Sequence, residues 1–132
     1  MINNNFEKKL KSKEFVFTAE TSPPDSTVRS EITDRVLCLK DLADAINVTD
    51  GASAKSHLSS LVVSSIIKDI EIEPILQLTT RDRNRIAIQS DLLGAWTLNI
   101  QNILCIYGDQ VETGDQPETC LLYTSDAADE TG

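Results

Sequence analysis

Four short apolar runs recur along this chain at an almost constant step, and that rhythm restricts the fold more than any other feature. FVFTA begins at Phe15, AINVT at Ala45, PILQL at Pro74 and ILCIY at Ile103, so the steps are 30, 29 and 29 residues. The runs are rich in β-branched and aromatic types, the composition of strands. They are continuous rather than cleanly alternating, as in a sheet covered on both faces. Helical spacing fills the gaps. Thr27 to Leu42 carries Val28, Ile32, Val36 and Leu39 at three-to-four intervals, with Ser26 and Thr27 as candidate caps. His57 to Ile70 places Leu58, Leu61, Val62, Ser65 and Ile66 on one face, and Arg83 to Leu98 does the same with Ile88, Leu92, Ala95 and Trp96.

Strict strand-then-helix alternation at this period requires parallel strands joined by right-handed crossovers. A doubly wound sheet and a (β/α)8 barrel both satisfy it. No GxGxxG follows any of the strands, which weighs against the first. A complete barrel takes about 250 residues, and this chain has 132. The expected fold is therefore α/β, the first four βα units of a truncated (β/α)8 TIM barrel. It divides into a polar lead-in over 1–14 with a short helix on Phe6 and Leu10, a partial barrel over 15–109, and an irregular acidic tail over 110–132.

In such folds the chemistry gathers at the carboxyl ends of the strands. Those ends carry Glu20, Thr49-Asp50-Gly51, Gln77 with Thr79-Thr80, and Gly108-Asp109. Glu20 stands where a strand expected to be buried empties into a rigid turn, since Pro23-Pro24 stop regular structure three residues on. The opposite ends offer much less polarity. Each residue also has a plainer reading. Thr49-Asp50 and Gly108-Asp109 suit ordinary turns, and Thr79-Thr80-Arg81-Asp82 suits a helix cap. Gln77 is harder to explain away, because an amide inside an apolar run demands partners. The single histidine, His57, reads as a surface or packing residue in the second helix.

Composition narrows the partners. The formal charge is −9, which argues against nucleic acid and anionic membranes. Asp126, Asp129 and Glu130 contribute −3 of it with no compensating base in residues 120–132, leaving −6 for residues 1–119. Acidic small substrates are thus not excluded. Cys38, Cys105 and Cys120 have no metal-ligand spacing, so no metal site is expected. Cys38 and Cys105 read as small buried hydrophobes. An odd cysteine count and an N-terminus without an apolar signal core fit a reducing, cytoplasmic setting.

Several segments together carry a family resemblance. FVFTAETSPP, INVTDGASA, EPILQLTTRDRNRIAIQSDLLGAW and NIQNILCIYGD resemble, in order and spacing, the N-terminal half of the methylenetetrahydrofolate reductases. The most specific portion is LTTRDRNR, then DLLGA, then NIL followed by GD. The resemblance implies a flavin-dependent barrel enzyme that binds FAD at its carboxyl face. Its flavin takes a hydride from NAD(P)H and passes it to 5,10-methylenetetrahydrofolate, giving 5-methyltetrahydrofolate for one-carbon metabolism and methionine biosynthesis. By the same resemblance Glu20 is the catalytic acid that helps open the methylene bridge. A carboxyl group partly withdrawn from water keeps its proton more readily and donates it nearer neutral pH. Asp109 matches the acid beside the flavin ring and pterin, where a negative charge tunes the cofactor. Thr49 and Gln77 match flavin-contacting positions, with Tyr107 and Gly108 on the strand end beside them. Some family members carry histidine at the position of Gln77 and arginine at that of Tyr107. Those departures bear on the flavin contacts rather than on the acid pair.

Alternatives within this resemblance are a reductase domain fused to a homocysteine methyltransferase, a related pterin reductase, and a non-catalytic half-barrel that binds flavin. The parent enzyme is a candidate homo-oligomer. Residues 120–130, CLLYTSDAADE, look like one reading frame of a transposase-type adapter used in sequencing libraries. On that reading the protein's own sequence ends near Thr119 and the chain is a fragment; a genuine acidic tail is the alternative. Four units cannot close a barrel, so the chain as written is expected to self-associate and to lack reductase activity.

Overall fold

The structure, a computed structural model, describes residues 4–119. Its elements alternate as the rhythm requires: α1 (Asn5–Lys11), β1 (Thr18–Thr21), α2 (Arg29–Val36), β2 (Ala45–Val48), α3 (Ser60–Asp69), β3 (Pro74–Thr79), α4 (Arg85–Thr97) and β4 (Asn102–Ile106). The four strands form one parallel sheet in the order β1-β2-β3-β4. Sequential order decides between the two architectures. A doubly wound sheet reverses its strand order at a switch point, and this sheet has none, so the α/β fold is consistent with the first βα units of a TIM barrel.

Register fixes which side chains share a face. Ile46 and Val48 of β2 pack with Ile32 and Val36 of α2 and with Val63, Ile66 and Ile67 of α3. Val48 pairs with Leu76, and Leu76 with Ile103, so these belong to the same, helix-covered face. Leu76 lies there in a second core with Ala95 of α4 and Ile100. The helices around both cores therefore cover one side of the sheet. Alternation sends the intervening residues to the other face: Thr18 and Glu20, Asn47 and Thr49, Ile75, Gln77 and Thr79, and Asn102, Leu104 and Ile106. In a barrel that second face is the interior.

Several boundaries and burials differ from expectation. The first ladder starts at Thr18 instead of Phe15, because the Asp44 side chain takes the Phe17 N–H at 2.9 Å and pairing begins only at Thr18 with Ala45. Phe15 and Phe17, expected in a buried strand, are exposed, Phe15 by 87%. They precede the ladder on an edge strand, where no neighbouring element covers them. Cys38 and Cys105 are also exposed rather than buried. Cys38 sits in a single 3-10 turn after α2, and Cys105 alternates with Leu104 on the second edge strand. The cap of α4 is Asn84, whose side chain accepts the Ala87 N–H at 2.9 Å; the Thr79–Asp82 run is not that cap. Cys120 and the adapter-like stretch lie outside the described residues.

The lead-in is a true helix, capped by Asn4. Asn4 is buried, bonds Asn102 at the start of β4, and Lys9 pairs with Asp44 just before β2. Helix α1 thus crosses the amino-terminal edge of the sheet. That edge is more polar than expected. It holds a cavity of about 350 Å³ lined by Asn5, Asp41, Ala43, Asp44, Lys68, Glu71, Ile72 and Glu73. Among its carboxylates Asp44 is paired with Lys9, Glu73 with Lys68, and Glu71 more loosely with Lys40. Among the described residues no helix is long and apolar enough to cross a membrane.

Candidate functional site at the carboxyl edge of the sheet

The loops that leave β2, β3 and β4 are bound to one another by two arginines. Arg81 follows β3 and is buried, its side chain only 3% exposed. Its Nη2 donates to the Gly51 carbonyl at 3.2 Å and its Nη1 to the Asp109 carbonyl at 3.1 Å. Nε and Nη2 also reach the Asp82 carboxylate, at 3.0 and 2.7 Å. A guanidinium is the group for this task, because its fixed fork of donors serves several acceptors at once. The Arg81 N–H completes the junction by donating to the Tyr107 carbonyl at 3.1 Å.

This crossing explains both glycines. Gly51 has φ +56° and Gly108 φ +101°, in the left-handed region that a side chain resists. A Cβ on Gly51 would lie 2.6 Å from Arg81 Nη2, and one on Gly108 2.9 Å from Nη1. The backbone bends so that the guanidinium passes between two strand ends.

Arg83 makes the second link. It donates to Asp50 at the end of β2 and to Asp91 in α4. Asp50 also accepts the Thr79 N–H at 2.8 Å and the Thr79 hydroxyl at 3.0 Å. Burial pushes the Asp50 carboxyl up, but the Arg83 and Thr79 hydrogen bonds outweigh it and hold it below the ordinary carboxylate value. For Arg83, burial lowers the guanidinium while Asp50 and Asp91 raise it, with a net rise. Asp50 is therefore a fixed anion that orders the edge.

The candidates separate into two groups. Thr49 and Gln77 are buried, 8% and 9% exposed, and follow the register onto the interior face. Thr49 donates its hydroxyl to Ser22 Oγ at 3.1 Å, tying the β2 end to the β1 turn. The Gln77 carbonyl accepts from Ser60 at 3.1 Å. No hydrogen bond among the described residues reaches the Gln77 side-chain amide, so the partners that an amide in an apolar run demands are not supplied by those residues. Glu20 shares the interior face and pairs in register with Asn47, but it is exposed rather than half-buried. It lies on the edge strand, with a neighbouring strand on one side only.

Asp109 turns elsewhere. Its Oδ2 accepts the Ser53 N–H at 2.6 Å, so the carboxylate is held by the loop after β2. Tyr107 is half exposed just past β4, and Gly108 forms the bend described above. No direct hydrogen bond joins Glu20 to Asp109, and their strands are opposite edges of the sheet. His57 precedes α3 instead of lying in it. Its ring nitrogens face the Pro23 carbonyl at 2.8 Å and the Ala52 carbonyl at 3.2 Å, a packing role between two edge loops. The stretch after Asp109 is irregular but docked: Val111 is buried, Asp115 accepts the Ser56 N–H at 2.6 Å, and the Asp115 N–H donates to Ala54.

The sequence pattern does not single out Arg81 or Arg83 as site residues. The available signal for the arginines was the pair of glycines two strands apart, each just beyond an apolar run and each beside an aspartate. Among the described residues no group of histidine, cysteine and carboxylate side chains is arranged to hold a metal ion. A family model described as Methylenetetrahydrofolate reductase matches residues 5–128. No curated protein matches the chain.

Proposed function

The chain belongs to the methylenetetrahydrofolate reductase family, and from that membership we propose that it supplies the first four strands of a flavin-dependent enzyme reducing 5,10-methylenetetrahydrofolate to 5-methyltetrahydrofolate with NAD(P)H. The observation that carries the reading is the interior face at the carboxyl edge. Gln77, a buried residue whose side-chain amide makes no hydrogen bond among the described residues, stands beside the Thr49 hydroxyl on a face that also carries Glu20. That amide is open to an incoming partner, and a flavin ring edge offers the alternating donors and acceptors that an amide and a hydroxyl complement. The residues present therefore fit FAD.

When bound, FAD supplies the two-electron chemistry between NAD(P)H and the folate. The protein's own contribution is position and protons. Gln77 and Thr49 orient the cofactor from the interior face. Glu20, exposed on its edge strand, is accessible to a substrate nitrogen and serves as proton donor to the folate. Asp109 contributes a fixed negative charge at the far side of the edge, held by Ser53.

Bound-flavin absorbance in the full-length protein, followed by anaerobic mixing with NAD(P)H and then with methylenetetrahydrofolate, tests this directly. Flavin that bleaches with the nicotinamide and recovers colour with the folate supports the reading. A purified protein that binds no flavin, or a reduced flavin that the folate leaves reduced, overturns it.

A further inference from the structure

The buried guanidinium of Arg81 is placed to do more than hold loops together. Arg81 Nη1 grips the Asp109 carbonyl at 3.1 Å and Nη2 the Gly51 carbonyl at 3.2 Å. Asp109 Oδ2 in turn takes the N–H of Ser53, two residues beyond Gly51, at 2.6 Å. The contacts close a ring: Arg81, the Asp109 backbone, the Asp109 carboxylate, Ser53, Gly51 and back to Arg81. Ser53 is itself in the left-handed region at φ +59°, a conformation that costs energy in a non-glycine residue and that this ring helps hold. Asp82, on the remaining side of the guanidinium, balances its charge, so the arginine stays buried without pulling on the Asp109 carboxylate.

From this ring we infer that Arg81 is a positioning residue for Asp109, setting where that carboxylate stands relative to flavin and folate; the inference rests on the functional reading above. A lysine keeps the charge but not the fork, and cannot reach the Gly51 and Asp109 carbonyls together. The ring then opens at both loops, and a displacement of the order of 1 Å costs up to about a hundredfold in rate.

The test uses the full-length flavin-loaded protein and three variants: Arg81→Lys, Asp109→Asn and the double. Arg81→Lys is expected to retain bound flavin and to lose about tenfold or more in turnover with methylenetetrahydrofolate. In the Asp109→Asn background the same change is expected to cost less than about twofold, because its effect runs through the carboxylate. A second readout needs no activity. In flavin-free protein the Ser53 amide is expected to exchange with deuterium at least about tenfold faster in Arg81→Lys. Turnover within about twofold of wild type, losses that multiply in the double variant, or unchanged Ser53 exchange would overturn the role. If Arg81→Lys does not fold, Arg81→Gln carries the same test, since a single amide cannot reach the Gly51 and Asp109 carbonyls together. Wild-type protein that reduces neither flavin nor folate overturns the functional reading itself. An active wild type with an indifferent Arg81→Lys overturns only the positioning role.

Discussion

Arg83 donates from Nη1 to Asp50 Oδ2 at 2.5 Å while its Nε holds Asp91 Oδ2 at 2.9 Å, so one guanidinium fastens the end of β2 to helix α4. Asp50 meanwhile accepts twice from Thr79 at the end of β3. The side chains are mostly buried, 11% exposed for Asp50 and 19% for Arg83. Removing one partner leaves the other charge poorly hydrated. Asp50→Asn keeps the shape and one acceptor, and is expected to destabilise the fold by about 2–3 kcal/mol. Urea unfolding measures this, and an unchanged midpoint would mean that the pair contributes nothing.

The same carboxylate predicts an acid limb. Its folded-state pKa lies below the unfolded value, burial being outweighed by the Arg83 and Thr79 hydrogen bonds. The stability it contributes is therefore fully present above about pH 4 and is lost as pH falls through the lower folded value. Asp44 is shifted the same way, by the Lys9 hydrogen bond first and the Phe17 N–H second. Unfolding free energy should decline below about pH 4, and Asp50→Asn should flatten part of that decline. Parallel acid limbs in wild type and variant would contradict the assignment.

Glu20 is exposed on an edge strand, on the same face as Gln77 and Thr49, and no hydrogen bond among the described residues reaches its carboxylate. A proton donor to the folate is needed in only one half of the reaction. Glu20→Gln in the full-length protein is expected to abolish folate reduction while leaving flavin reduction by NAD(P)H within about threefold. Stopped-flow absorbance separates the two steps. Equal loss of both would remove Glu20 from its role as acid.

Gln77→Leu fills the same volume with no polar group, so the core of β3 survives and only the amide is lost. Flavin affinity is expected to fall about tenfold, the worth of one hydrogen bond of about 1.4 kcal/mol. Fluorescence titration of flavin-free protein would show it, and unchanged affinity would place the flavin elsewhere.

How much of this was legible follows from the range of each signal. Strand and helix alternation survives in the sequence because burial is periodic. Pro74–Thr79 is buried throughout, and its run was plain. The first strand was misplaced because Phe15 and Phe17 have the composition of a core strand, whereas their surroundings are set by an edge that only the sheet order reveals. Thr49 and Gln77 stand out in the sequence because they are polar groups within apolar runs. Arg81 carries only a local helix-cap pattern in the sequence, since its partners Gly51 and Asp109 lie 30 and 28 residues away and no local pattern connects them.

The sheet leaves one long-range consequence for the chain as a separate polypeptide. Strands β1 and β4 are both edges, with backbone groups ready to pair. Large apolar side chains stand exposed beside them and on the last helix: Phe15 at 87%, Ile86 at 78%, Leu93 at 72% and Trp96 at 67%. Scattered single hydrophobes are ordinary on a surface, but Leu93 and Trp96 are neighbours on one face of α4. At pH 7 the formal charge of −9 opposes association, yet repulsion between exposed charges is screened within about 10 Å at 0.1 M salt. The 132-residue chain is therefore expected to associate at micromolar concentration, more strongly as salt rises. Light scattering on a sizing column at two ionic strengths measures both the mass and its trend. A monodisperse monomer at high salt would show that these edges are protected in solution.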